Sequence, residues 1–210
     1  MKLVVFGATG RTGFPLIKQA LDKKHTITAF VRDPEKLPSE IKDIDVIQGD
    51  VLNPEDVDKA IQGQDAVVSV IGQSKKSPEH LQTRATEHMV AAMKEHGVQR
   101  IVSLTGAGVR IQKDTPKLFD KFMKILLNIF AKRVLKDAEG HYEILKSSGE
   151  LNWTVVRVPV LTEGELKGSY RVSYVGQDTG AKISRADVAH FILQTLKDES
   201  YIHDAPMISY

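Results

Sequence analysis

The apolar run Lys2-Leu3-Val4-Val5-Phe6 leads directly into Gly7-Ala8-Thr9-Gly10-Arg11-Thr12-Gly13, and a helical pattern carrying Phe14, Ile17 and Leu21 follows at once. Glycines spaced by three at a strand-to-helix junction have a physical meaning. Glycine adopts positive φ without penalty and lets the backbone come close to a pyrophosphate. The opening turn of the helix then offers free N–H groups and a positive dipole end to that anion. The same glycines also suit a tight turn that binds nothing, so the context decides. The turn sits at the end of the first of several apolar runs, in a chain that alternates strand and helix patterns throughout, and that context favours a dinucleotide.

Strands are expected at 2–6, 26–31, 45–48, 66–71, 100–104 and 153–158, several of them apolar at nearly every position. Runs of that kind are covered on both faces. Helices separate them, with legible ends. Asn53-Pro54-Glu55-Asp56 supplies an N-cap with proline at the first helical position, and Gly63 ends that helix. Ser77-Pro78 opens another that Gly97 stops, and Ser184 to Asp187 forms a capping box. The pattern predicts an α/β fold with a doubly wound parallel sheet of the Rossmann type and helices on both faces. The length of 210 residues, with no repeat, linker or low-complexity tract, suits one NAD(P)-binding domain over 1–210. The irregular stretch at about 160–180 is expected to shape a substrate pocket, because ligands in such sheets lie outside the carboxyl ends of the strands.

Three glycine-turn neighbours and the later strand ends supply the remaining cofactor contacts. The expected phosphate cradle is Gly7, Thr9, Gly10, Arg11, Thr12 and Gly13. The second strand ends at Val31-Arg32-Asp33, where a free ribose 2′-OH wants a carboxylate and a 2′-phosphate wants an arginine. Arg32, 25 residues after Gly7, favours NADP(H), with Arg11 and Lys36 adding positive charge; as a surface charge or an adenine-stacking group it would say less. Asp50 and Val51 follow the third strand and Gly72 the fourth, where adenine and ribose rest. Asp50 has two readings, an acceptor for the adenine amine or a cap on its own turn. Pro159, leaving the sixth strand, is placed behind the nicotinamide.

With those residues in place the chain resembles the atypical short-chain dehydrogenases of the NmrA-like group, and within it the NADPH-dependent flavin reductases known as the biliverdin reductase B family. The resemblance rests on Phe6-Gly7-Ala8-Thr9-Gly10, Val31-Arg32-Asp33, Gly49-Asp50-Val51-Leu52 and framework matches along nearly the whole chain. It implies hydride transfer from NADPH. Short-chain dehydrogenases pair a Tyr-x-x-x-Lys with a serine to move a proton at a substrate oxygen. Tyr142 and Lys146 have that spacing, but the resemblance aligns Leu135 and Glu139 with the tyrosine and lysine, and Gly106 with the serine. Tyr142 and Lys146 are therefore read as a coincidence of helix spacing. Thr105, beside Gly106, either bonds the nicotinamide or acceptor or caps a strand end. His141 corresponds to a histidine of the flavin reductases, and is either a proton donor or a packed side chain.

A missing acid–base pair still permits hydride transfer, since the nicotinamide carries that chemistry. It argues for a conjugated acceptor, a flavin or quinone that can take its proton from water, over a simple ketone. Other readings remain open: an NADP(H) sensor without turnover that reports to a partner protein, and a sugar-nucleotide epimerase or dehydratase, which would need Tyr142 and Lys146 to work. Cysteine is absent, which excludes disulfides, thiolate chemistry and Cys-ligated metals, and no metal site is expected. A formal charge of +2 without charged tails gives no reason to expect nucleic acid. No signal peptide or spanning segment is read, so a cytoplasmic protein is expected. Residues 117–136 read as one amphipathic helix with lysines along one stripe and a broad apolar remainder. Its readings are core packing, a lid over the acceptor, a homodimer surface or shallow membrane contact without stable insertion.

Overall fold

β-Branched runs become parallel strands in the computed structural model of the chain, which describes residues 1–73 and 77–210. They are β1 (Lys2–Phe6), β2 (Thr26–Val31), β3 (Asp45–Gln48), β4 (Ala66–Ser69), β5 (Arg100–Gly106) and β6 (Asn152–Val158). Between them run α1 (Gly13–Asp22), α2 (Pro54–Ile61), α3 (Leu81–His96), α4 (Leu118–Phe130) and α5 (Lys132–Ser147). After β6 come β7 (Val160–Thr162), β8 (Arg171–Ser173), β9 (Lys182–Ser184), α6 (Arg185–Thr195) and β10 (Met207–Ser209).

The main sheet has the order β3-β2-β1-β4-β5-β6-β10-β8, parallel except where β8 runs against β10. β7 and β9 form a separate parallel pair. The chain winds outward from β1 in one direction through β2 and β3, and in the other from β4 onward, so the winding reverses between β1 and β4. Alternate residues of β1 explain why its run is apolar throughout. Leu3 and Val5 pack with α1 and α6, while Val4 and Phe6 pack with α2, α3 and α5 on the opposite face.

Local signals set several helix ends as expected. Asn53 accepts from the Glu55 N–H at 3.0 Å with Pro54 behind it, and Ser184 Oγ accepts from the Asp187 N–H at 3.0 Å. Gly97 closes α3 with φ of 69°. Three expectations need correction. β4 ends at Ser69 instead of residue 71, while β5 continues to Gly106. α3 begins at Leu81, beyond Ser77-Pro78, because His80 takes a left-handed φ of 54° and the cap comes from elsewhere. That cap is Asp137 of α5, whose carboxylate accepts from the N–H groups of Gln82 and Thr83, both at 2.9 Å. The third correction concerns 117–136, which is two helices meeting at Ala131. No Gly or Pro breaks them. α5 must turn Asp137 and Gly140 toward Thr83 of α3, where a Cβ on Gly140 would lie 2.5 Å from Thr83 Oγ1, while α4 packs chiefly against α5.

Candidate active site

The turn after β1 is built so that only glycine fits at its key places. Gly7 has φ of 87°, and a Cβ there would lie 2.9 Å from the Val70 carbonyl. Gly13 has ordinary backbone angles but no room, since its Cβ would meet the carbonyl oxygens of Gly7 at 2.3 Å and Ala8 at 2.5 Å. The Gly10 N–H donates to Gly7 O at 2.9 Å, closing the turn, and Thr9, Gly10 and Arg11 stay exposed. Thr12, the N-cap of α1, makes no side-chain cap, and the first turn holds no acidic residue. The first N–H groups of α1 therefore meet neither a side-chain cap nor an acidic residue of that turn, the arrangement that suits an anionic ligand.

Arg32 stands exposed at the end of β2, and its guanidinium has no ion-pair partner among the described residues, while its carbonyl accepts from Gln48. Asp33, the carboxylate next to Arg32, is occupied. Its carboxylate caps the next turn through the Glu35 N–H and meets Lys36 Nζ at 3.0 Å, and that lysine holds it below the usual carboxylate range. Asp50 Oδ1 accepts from the Leu52 N–H at 2.9 Å and so caps its own turn. Val51 presents its carbonyl to His88 Nδ1 at 2.9 Å. Gly72 is exposed, and among the described residues nothing lies within 4 Å of where a Cβ would stand.

A cavity of about 350 Å³ opens at the carboxyl ends of β4, β5 and β6, on the side of the winding reversal toward β5. Gly72 and Gln73 line it from the segment after β4, Thr105 from β5 and Val109 just beyond it, Pro159 from the end of β6 and Leu161 from β7. Leu127 of α4 and Leu135 and Ala138 of α5 form its outer wall, and Arg185 stands at its rim. Of the stretch 160–180, only Leu161 reaches it. The walls are chiefly apolar, and two of their polar atoms, Thr105 Oγ1 and Gln73 Oε1, are buried without a hydrogen-bond partner among the described residues. A buried hydroxyl left unpaired costs about 1–3 kcal/mol, which is recovered when a ligand supplies its partner.

Tyr142 and Lys146 lie away from the cavity. Tyr142 is buried edge-on to Trp153, with centroids 6.1 Å apart, and burial pushes its hydroxyl up. Lys146 is exposed beside Glu143. Of the residues aligned with the usual tyrosine and lysine, Leu135 lines the cavity, whereas Glu139 pairs with Lys124 at 3.1 Å and is not part of the lining. An epimerase working through Tyr142 has no geometry here.

His141 is placed otherwise than expected of a proton donor. It points from α5 into the sheet, 2% exposed, with Nε2 2.9 Å from Ser103 Oγ, and it does not line the cavity. Burial pulls it down to about 4. Since the folded value lies below the unfolded one near 6.5, the unfolded chain binds the proton first. The contribution is intact above pH 6.5 and is lost as pH falls toward 4, a change on the order of 3 kcal/mol. Urea unfolding between pH 7 and 4 should show this loss, and His141→Gln should flatten that part of the slope.

Sequence reasoning missed the pair that holds the cavity's upper loop. Arg157, wholly buried on β6, forms a two-pronged ion pair with Asp114 at 2.7 and 2.8 Å. It also donates to the carbonyls of Val109 and Ala205 at 2.9 and 2.7 Å. An arginine among Val155, Val156 and Val158 was the available signal.

A doubly wound sheet, a glycine turn facing an uncapped helix and a cavity at the strand ends together define a Rossmann-type dinucleotide-binding protein. A family model described as NAD(P)H-binding matches residues 7–199, and the chain belongs to that family. The uncharacterized protein YwnB of Bacillus subtilis is 29% identical, over 94% of this chain and 92% of its own. Solved structures share the fold. A short-chain dehydrogenase/reductase from Veillonella parvula in complex with NADP has a TM-score of 0.81 at 20% identity, covering 100% of this chain and 94% of that one. ChuY, an anaerobillin reductase from Escherichia coli O157:H7, has a TM-score of 0.81 at 17% identity, covering 100% and 97%. Among the described residues no helix is long and apolar enough to cross a membrane, and no cluster of His, Asp and Glu is arranged to hold a metal.

Proposed function

We propose that the protein is an NADPH-dependent reductase that passes hydride to a flavin, a quinone or a similar flat conjugated acceptor. The observation that carries this reading is the apolar cavity at the strand ends, walled by Leu135, the residue that the resemblance aligns with the acid–base tyrosine. Such a wall offers no proton to a ketone oxygen. A conjugated ring needs none from the protein at the moment of transfer, and it fills a flat apolar space well. The nicotinamide, when bound, supplies the hydride. The chain's own part is to hold the two rings in contact and exclude water, with Thr105 Oγ1 free to bond the carboxamide or the acceptor. The likeness to biliverdin reductase B flavin reductases, and a shared fold with a protein named as an anaerobillin reductase, fit the same chemistry.

Arg32 favours NADPH over NADH. Removing a charge-assisted contact to the 2′-phosphate costs about 1.5–3 kcal/mol, so Arg32→Ala should weaken NADPH binding roughly tenfold to a hundredfold and leave NADH almost unchanged. Titration calorimetry with both cofactors checks it. The reaction itself is tested by following NADPH oxidation with FMN and with a quinone. Tight NADPH binding without turnover on any conjugated acceptor would favour a sensor instead. Thr105→Val should lower kcat about tenfold while leaving the melting temperature unchanged or higher, since it removes an unpaired buried hydroxyl.

A further inference from the structure

α4 is the one helix of the main α/β layers whose described side chains include none that is buried. Leu118, Phe122, Ile125 and Ile129 follow each other at i, i+4, i+7 and i+11, and so form one line along the helix. Each is more than half exposed, from 55% at Ile125 to 85% at Leu118, and Phe130 at the end is 70% exposed. On the opposite side Leu127 faces the cavity. The helix therefore spends its inner side on the cavity wall and presents a ridge of large apolar side chains outward.

A second line lies beside the first, each member one residue earlier: Lys117, Lys121, Lys124 and Asn128. Between 117 and 136 there are six basic residues and one acidic, a surplus of five on a chain whose whole surplus is two. The rest of the molecule is accordingly net negative. Lys117, Lys121, Lys132 and Lys136 have no acidic partner in an ion pair among the described residues. Pairing this face with a second copy of itself would bring two such surpluses to within about 10 Å, the spacing of packed helices. An apolar ridge flanked by lysines, of which Lys117 and Lys121 have no ion-pair partner among the described residues, matches instead a surface that is anionic outside and apolar just beneath.

We infer that α4 docks the protein on an anionic lipid surface, with the line from Leu118 to Ile129 lying shallowly at the boundary of headgroups and acyl chains and the lysines among the headgroups. The helix lies in the plane of the surface and does not cross it. This inference stands apart from the proposed reductase activity, since lipid binding is read without substrate.

Sedimentation of the full chain with phosphatidylcholine vesicles, with and without phosphatidylglycerol, tests it. Binding is expected only with phosphatidylglycerol present, weakening as salt is raised. The triple change Phe122→Ser, Ile125→Ser, Ile129→Ser should weaken it about tenfold or more, as should Lys117→Gln with Lys121→Gln, with melting temperatures close to that of the parent. No binding to either vesicle overturns the inference, as does equal binding to both. A dimer that the serine variant dissociates, in a protein that ignores vesicles, also overturns it by giving the ridge to a second copy.

Discussion

Asp114→Ala is expected to lower folding stability by about 3–5 kcal/mol, the cost of leaving a buried charge without its partner. Arg157 has no exposure at all and lies on β6 between its neighbours in the middle of the sheet. Both oxygens of Asp114 meet its guanidinium, and the same carboxylate accepts from the N–H groups of Ile111 at 2.9 Å and Val175 at 3.0 Å. Burial alone would push Asp114 up, but Arg157 and those N–H groups outweigh it and hold the carboxyl below its usual range. The stability it contributes is therefore present at neutral pH and lost only in strong acid, once pH falls below the unfolded value and through the lower folded one. For a chain of 210 residues the fall corresponds to roughly 6–20 °C in Tm. Asp114→Asn should also destabilise, because it keeps the shape and removes the charge. Arg157→Met with Asp114→Leu should recover much of the loss, because neither charge is then stranded. Urea midpoints for the single and double variants decide the matter, and additive effects would mean the pair does not act as a unit. Val109, whose carbonyl Arg157 holds, lines the cavity, so the single variants should also raise the acceptor's KM.

What could be read in advance follows the distance over which each signal acts. Most strands were legible because a strand covered on both faces is apolar at nearly every position, whatever lies beyond it. α2 and α6 were legible because their caps, Asn53 and Ser184, sit next to the helices they start. α3 was misplaced because Asp137, which caps it, lies over fifty residues away on another helix. The break at Ala131 carries no local marker, since it follows from where α5 meets α3. The short strands β7 to β10 draw their partners from across the chain, and three-residue runs carry no period to read. The same division runs through the site. The glycines and Arg32 depend on the backbone close to them. The direction of His141 depends on how α5 is rotated against the sheet, which no nearby residue encodes.

Gly13→Ala should abolish measurable NADPH binding, weakening it about a hundredfold or more, although alanine is the better helix former. A helix-opening glycine is ordinarily improved by this change, so the expected loss has to come from space. The new Cβ would stand 2.3 Å from Gly7 O and 2.5 Å from Ala8 O, atoms of the backbone that shape the turn and cannot swing aside. Either α1 retreats from the turn or the turn opens, and both move the helix N–H groups by a large part of an ångström relative to a pyrophosphate. Misplacement on the order of 1 Å is enough for a hundredfold effect. Overpacking should also lower the stability of the unliganded protein by about 1–3 kcal/mol. Gly63→Ala is the control. It carries a φ of 73° but has nothing within 4 Å of its Cβ, so it strains only its own backbone, by about 1 kcal/mol. That variant should bind NADPH like the parent. The two are separated by the rise in Tm that saturating NADPH produces, which should vanish in Gly13→Ala and persist in Gly63→Ala. A Gly13→Ala protein that kept the full rise would show that the phosphates do not rest on this turn.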